Sequence, residues 1–180
     1  MPENIWHSTT VICVRKGQSI AMAGDGQVTL GETVIKGNAV KIRKLFKDSV
    51  LAGFAGSVAD AFALLEKFEI KLEEYSGDIM KSSVSLAKDW RLDKYLRQLE
   101  AMLVVADKKN TLLISGNGNI IEPEDNIAAI GSGAPYARAA AMAFLSARPE
   151  MDIKEVAFQS LKIASKICIY TNDSITVEVM

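Results

Sequence analysis

In TTVICVRKGQSIAMA, residues 9–23, a β-branched apolar run from Thr9 to Val14 is followed by Arg15-Lys16-Gly17 and then by a second apolar run, Ser19 to Ala23. β-Branched residues suit the pleated chain, and a glycine after two cations marks a turn. Residues 9–23 therefore predict a strand, a tight turn and a second strand. Gly24 to Asn38, GDGQVTLGETVIKGN, is glycine-rich with short β-like pieces, and Lys41 to Phe46 with Ser49 to Phe54 predict a further strand pair.

From Ser57 to Tyr75 the apolar residues Val58, Ala61, Phe62, Leu65, Phe68 and Leu72 fall at the three-and-four spacing of one helical face, with Ser57 placed to cap it. Ser76-Gly77-Asp78 interrupts that pattern, and a second helix carrying Val84, Ala87 and Trp90 is expected to run to about Leu96. Met102 to Ala106 and Thr111 to Ser115 flank the turn at Asp107 to Asn110. Gly116 to Asn119 then turns into Ile120-Ile121, and a strand follows near Ile127 to Ile130. After Gly131-Ser132-Gly133 come an alanine-rich helix to about Ala147, another from Asp152 to about Ile169, and a closing strand that alternates through Ile175, Val177 and Val179. Two sheets, each followed by a helix pair, imply an α+β chain folded as a four-layer αββα sandwich of two antiparallel sheets flanked by helices.

The 180 residues and 49% hydrophobic content suffice for one sizeable core, so a single domain is expected. A net charge of -1 gives no basic field to attract nucleic acid or an anionic membrane, and neither partner is expected. Charges interrupt every apolar stretch before the roughly 20 residues needed to span a bilayer. Met1 to Ser8, MPENIWHS, has neither the basic start nor the apolar run of a secretory signal, and the two cysteines, Cys13 and Cys168, belong to no CxxC pair. These features predict a cytoplasmic protein. GDGQVTLG and GNGN match neither GxxxxGK[ST] nor GxGxxG opening a helix, so nucleotide binding is not expected.

The chain has a single histidine, His7, placed before the first strand of the sandwich. A Ser-His-Asp or Cys-His pair is then unavailable. A hydrolase built on this chain must activate its nucleophile with a lysine, a carboxylate, a metal or an α-amino group.

HSTTVICV, GDGQVTLGETVIKGNAVKIRKL, LAGFAGSVADAF, LAKDWRLDKYLRQLEAMLVVAD, ISGNG, IGSGAPYA and ICIYTN occur in one order from about Thr9 to the C-terminus. In these segments the chain closely resembles the HslV family, the peptidase subunits of bacterial two-component ATP-dependent proteases and relatives of proteasome β-subunits. The resemblance implies the N-terminal-nucleophile hydrolase fold and a threonine endopeptidase. Residues 1–8 would be a propeptide and residues 9–180 the catalytic domain.

Its nucleophile would be Thr9, whose free amine takes the hydroxyl proton. An α-amino group titrates at about 7.7 to 8.0, against about 10.4 for lysine, so a useful fraction is unprotonated at neutral pH. That amine exists only after the Ser8–Thr9 bond is cut. The resemblance further assigns Lys41 as the catalytic lysine, Asp25 as its holder, Gly56 as the oxyanion N–H donor and Ser132 as a group orienting the amine. Ser165, Cys168 and Thr171 would hold a sodium ion through main-chain carbonyls. Relatives commonly carry glycine where this chain has Ser165, a change that leaves the carbonyl donor in place. No cofactor is expected for the chemistry.

Read without the family, Ser8 is an alternative nucleophile, Lys36 competes with Lys41, Asp25 can be a turn aspartate and Ser132 a helix cap. Partners implied by the resemblance are an HslU-type AAA+ ATPase hexamer, copies of the chain in a dodecamer of two stacked hexameric rings, and unfolded polypeptide substrates. A catalytically silent ring subunit and a small-molecule amidase are the competing functions.

Overall fold

A computed structural model describes residues 6–92, 101–115 and 117–180. In chain order the elements are β1 (Trp6–Ser8), β2 (Thr10–Lys16), β3 (Ser19–Gly24), β4 (Val28–Leu30), β5 (Thr33–Lys36), β6 (Ile42–Leu45), β7 (Val50–Gly56), α1 (Val58–Glu74), α2 (Ile79–Leu92), β8 (Ala101–Ala106), β9 (Thr111–Ser115), β10 (Ile120–Ile121), β11 (Ile127–Gly131), α3 (Ala134–Ala147), α4 (Ile153–Ser165) and β12 (Thr176–Val179).

The expected hairpin is β2–β3, in register from Val11 opposite Gly24 to Lys16 opposite Ser19. It forms the centre of a four-stranded antiparallel sheet ordered β11-β2-β3-β12, while β10-β9-β8-β7-β6 make a five-stranded one. The run Val11 to Val14 is apolar at every position because both faces of β2 are covered. Val11 and Cys13 join Met22, Leu51 and Val104 between the two sheets, and Ile12 and Val14 face Ala141, Val156 and Leu161 of α3 and α4. On the far side of the five-stranded sheet, Phe54, Leu103 and Val105 pack against Leu64, Phe68 and Trp90 of α1 and α2. Three apolar layers between four structural layers make the αββα sandwich that the element order implied.

Several local expectations are revised. β2 runs through Lys16, and the turn falls at Gly17, whose φ is +61°. Arg15 is not a solvated turn residue: its Nε donates to Thr111 Oγ1 at 2.9 Å and its Nη2 to the carbonyls of Asp107 and Asn110, which ties the two sheets together. Ser57 stands at the N-cap of α1 without a side-chain capping bond. Val84 is half exposed, and the buried face of α2 is Ile79, Ser82, Ser83, Leu86, Ala87 and Trp90. The expected continuation to Leu96 lies outside the described residues.

α4 stops at Ser165 rather than near Ile169. The N–H groups of Ile167 and Cys168 both turn back onto the Ala164 carbonyl, and Thr171 is drawn to Thr10. A third sheet was not foreseen, a small ribbon ordered β1-β4-β5. In it Trp6, His7 and Ser8 pair antiparallel with Leu30, Thr29 and Val28.

Candidate active site

Strand ends at one rim of the sandwich carry every residue of the expected catalytic set. Thr9 immediately precedes β2, Asp25 follows β3, Lys41 precedes β6, Gly56 ends β7 and Ser132 follows β11. Chain direction thus brings five distant positions together.

Thr9 is 2% exposed, and its φ of +93° is a true outlier for a β-branched residue. Its carbonyl accepts the Ser132 N–H at 3.1 Å. Ser132 therefore meets Thr9 through the main chain, and the N-cap of α3 is Gly133, not Ser132.

Asp25 is fully buried and its carboxylate is saturated. Oδ1 accepts the Thr10 N–H at 2.7 Å and Lys41 Nζ at 2.9 Å; Oδ2 accepts the Gln27 N–H at 2.9 Å and the Asn172 N–H at 3.3 Å. Lys41, 3% exposed, also donates to the Gln27 carbonyl at 2.5 Å. Burial pushes the Lys41 ammonium below the usual lysine range, and the Asp25 charge and hydrogen bond oppose that without cancelling it. Lys36, the competing lysine, is exposed at the end of β5. Between the two, only Lys41 has its charge held inside the protein.

Thr9, Lys41 and Gly56 open onto one cavity of about 520 Å³, walled by Val28, Val40 and Phe54. Lys36 and Arg43 also line it. Phe62, expected in the core on its helical spacing, is 45% exposed and pairs with Phe54, ring centroids 5.4 Å apart, as part of the wall. A larger, more open cleft of about 900 Å³ between the 47–49, 76–80 and 107–110 segments contains none of the catalytic set. Cys13, enclosed between the two sheets, is excluded as a nucleophile: burial pushes its thiol up to about 12, so almost no thiolate forms at neutral pH.

The three residues expected around a cation lie in and just after the last turn of α4. Ser165 is half-buried, while Cys168 and Thr171 are buried. Thr171 Oγ1 is 2.7 Å from Thr10 Oγ1, which in turn accepts the Gly133 N–H at 2.9 Å, and the Cys168 carbonyl accepts the Thr171 N–H at 3.1 Å. Among the described residues no group of three or more His, Cys, Asp or Glu side chains is placed to hold a metal ion. A helix C-terminus supplies carbonyl oxygens, and oxygen-only donors suit a hard cation.

Residues that sequence reasoning missed complete the site. Thr10 stands in the sequence only as part of the Thr9 to Val14 run, and Asn172 only as the last letter of ICIYTN. Gln27 carries no local signal, yet its Nε2 donates to Thr29 Oγ1 at 2.9 Å and to the Ile169 carbonyl at 2.8 Å.

Comparison with known proteins gives one consistent answer. The proteasome-subunit family pattern matches residues 5–180. The "ATP-dependent protease subunit HslV" of Thermosipho melanesiensis is 60% identical over 173 residues, 96% of this chain and 98% of that protein. The protein of the same name from Treponema denticola is 59% identical over 171 residues, 95% and 96% of the two chains. Among solved structures, eukaryotic HslV from Trypanosoma brucei superposes with a TM-score of 0.88 at 45% identity, covering 94% of this chain and 98% of that one. Thiobacillus denitrificans BPH in complex with epoxomicin, at 21% identity and a TM-score of 0.72 over 95% and 97% of the two chains, shares the fold.

Proposed function

This chain belongs to the proteasome family, in its HslV branch of ATP-dependent protease subunits, and from that premise we propose that Thr9 is its N-terminal nucleophile once residues 1–8 are removed. The supporting observation is the convergence of Thr9, Gly56 and the buried Lys41–Asp25 pair on one cavity. The small-molecule amidase reading gives way to a peptidase.

Thr9 Oγ attacks the peptide carbonyl carbon, and the hydroxyl proton passes to the Thr9 amine. The oxyanion that forms is met by the Gly56 N–H, in a strand end whose φ of +115° suits glycine. The Lys41 ammonium lowers the cost of the developing charge, and Asp25 keeps that ammonium in place. The amine then returns the proton to the leaving nitrogen, leaving an ester on Thr9 that water hydrolyses.

Before maturation there is no amine. The positive φ of Thr9 stores strain, on the order of 1–3 kcal/mol, next to the bond to be cut.

β1 on β4 also supports a binding mode. Residues 6–8 lie antiparallel on the β4 edge up to the scissile bond, and a substrate backbone in the same alignment would run beside the cavity that Phe54 and Phe62 wall. Apolar side chains suit that wall, with Lys36 and Arg43 nearby for acidic neighbours.

A chain with no nucleotide motif needs a separate motor to unfold its substrates. An HslU-type AAA+ hexamer stacked on a dodecamer of this chain in the cytoplasm supplies one, and a sodium ion on the Ser165, Cys168 and Thr171 carbonyls steadies the turn beside Thr10. Among the described residues no helix is long and apolar enough to cross a membrane.

Mass spectrometry of the mature protein, with and without a threonine-directed electrophile, tests the nucleophile. A terminus at Thr9 carrying the label is the expected result. A terminus at Ser8 transfers the role to that residue, and an unlabelled chain means a silent subunit.

A further inference from the structure

Asn172 joins three segments that the catalytic assignment treats separately. Its Oδ1 accepts the N–H groups of Gly26, at 3.0 Å, and Ser174, at 3.3 Å. Its Nδ2 donates to the Gly37 carbonyl at 2.8 Å, and its own N–H reaches Asp25 Oδ2 at 3.3 Å. One residue thus touches the carboxylate that holds Lys41, the residue after it, and the strip that leads into the cavity wall.

That strip is tightly seated. Ala39 N–H donates to the Gly26 carbonyl at 2.9 Å, and a β-carbon on Gly26 would lie 2.4 Å from the Gly37 oxygen. Ile35, Lys36, Asn38, Ala39 and Val40 of the same strip line the cavity that holds Thr9. The position of this wall relative to Thr9 and Lys41 therefore depends on what fastens Gly37 to Gly26.

We infer that Asn172 is a positioning residue which fixes the 35–40 wall of the substrate cavity against the Asp25–Lys41 pair, and so sets how large a substrate side chain the cavity accepts. The inference rests on the proposed peptidase site at Thr9. The chemistry asked of position 172 is narrow: one side chain must accept from Gly26 and donate to Gly37 at the same time. A primary amide does both. A carboxylate of the same shape accepts but cannot donate, and it sets an oxygen against the Gly37 carbonyl. Serine and alanine reach neither partner as asparagine does.

The test compares processed wild type, Asn172→Asp and Asn172→Ala, each with the ATPase partner, on two fluorogenic peptides ending in leucine or in alanine before the cleaved bond. Asn172→Asp is expected to raise KM for the leucine peptide about tenfold and to change kcat and the alanine peptide far less, because it loses the hydrogen bond to Gly37 and sets an oxygen against that carbonyl. Asn172→Ala is expected to give the same pattern, larger. Unchanged KM for both peptides in Asn172→Asp overturns the inference. So do equal losses on both peptides, or failure of both variants to fold, because each marks a merely structural residue. Wild type that cleaves neither peptide and takes no label at Thr9 instead overturns the peptidase reading on which the inference stands.

Discussion

The carbonyl oxygen of Thr9 stands 1.8 Å from the point where a β-carbon on Gly131 would lie. Gly131 also has a φ of +91°, so any side chain there is strained as well as obstructed. Gly131→Ala should push Thr9 off its seat on the Ser132 N–H. We expect peptide turnover to fall by about 10²-fold or more, since misplacement by about 1 Å is enough for that. Melting temperature and turnover, measured on one sample, check it.

The Lys41–Asp25 pair is asymmetric. Lys41→Ala leaves Asp25 with the N–H groups of Thr10, Gln27 and Asn172, whereas Asp25→Ala strands those three donors and an ammonium together. Both variants should lose cleavage. Lys41→Ala should cost at most about 3 kcal/mol of stability and Asp25→Ala more, near the upper end of the range for breaking a buried pair. Denaturant unfolding of the two variants should rank them in that order.

Activity should rise on the acid side as the Thr9 amine loses its proton, near about 8, and fall on the alkaline side as Lys41 loses its own. Because burial lowers the Lys41 pKa, the alkaline limb should come below the ordinary lysine value of 10.5. Asp25→Asn removes the charge that opposes that shift, so the limb should move to still lower pH. The sign for stability follows: between the lowered value and 10.5 the unfolded chain binds the extra proton, and stability rises with pH across that interval. A kcat profile and an unfolding series over pH 7–11 read both effects. An alkaline limb unmoved by Asp25→Asn excludes Lys41 as its source.

Phe62→Ala removes a half-exposed ring from the cavity wall. Its effect on melting should be small. Loss of the ring pair and of wall contact should lower kcat/KM for peptides with a large apolar residue before the cleaved bond by about tenfold. Peptides with alanine there should be much less affected.

The layer order was legible because strands covered on both faces read as unbroken apolar runs, as at Val11 to Val14, and because helix-breaking clusters such as Ser76-Gly77-Asp78 are local. Lys41, Asp25 and Gly56 were legible only through a family resemblance. Nothing in their neighbours says that chain direction will bring three strand ends to one rim. Phe62 and Val84 misled because helical spacing gives a face without saying which part of it is covered, and the start of α1 projects past the sheet into the cavity. Arg15, Gln27 and Asn172 act through partners more than 90 residues away in sequence, a separation no local pattern records. The end of α4 escaped for the same reason, since Thr171 is claimed by Thr10.

The small ribbon β1-β4-β5 has a bearing on how the chain survives its own synthesis. An unpaired strand edge is a template on which other chains can add and aggregate. While residues 6–8 are attached, the chain carries its own blocking strand on β4, at no cost in intermolecular encounter. On the maturation proposed above, cutting the Ser8–Thr9 bond would withdraw that strand at the moment a base appears on Thr9, so the solubility hazard and the catalytic competence of this rim would begin together.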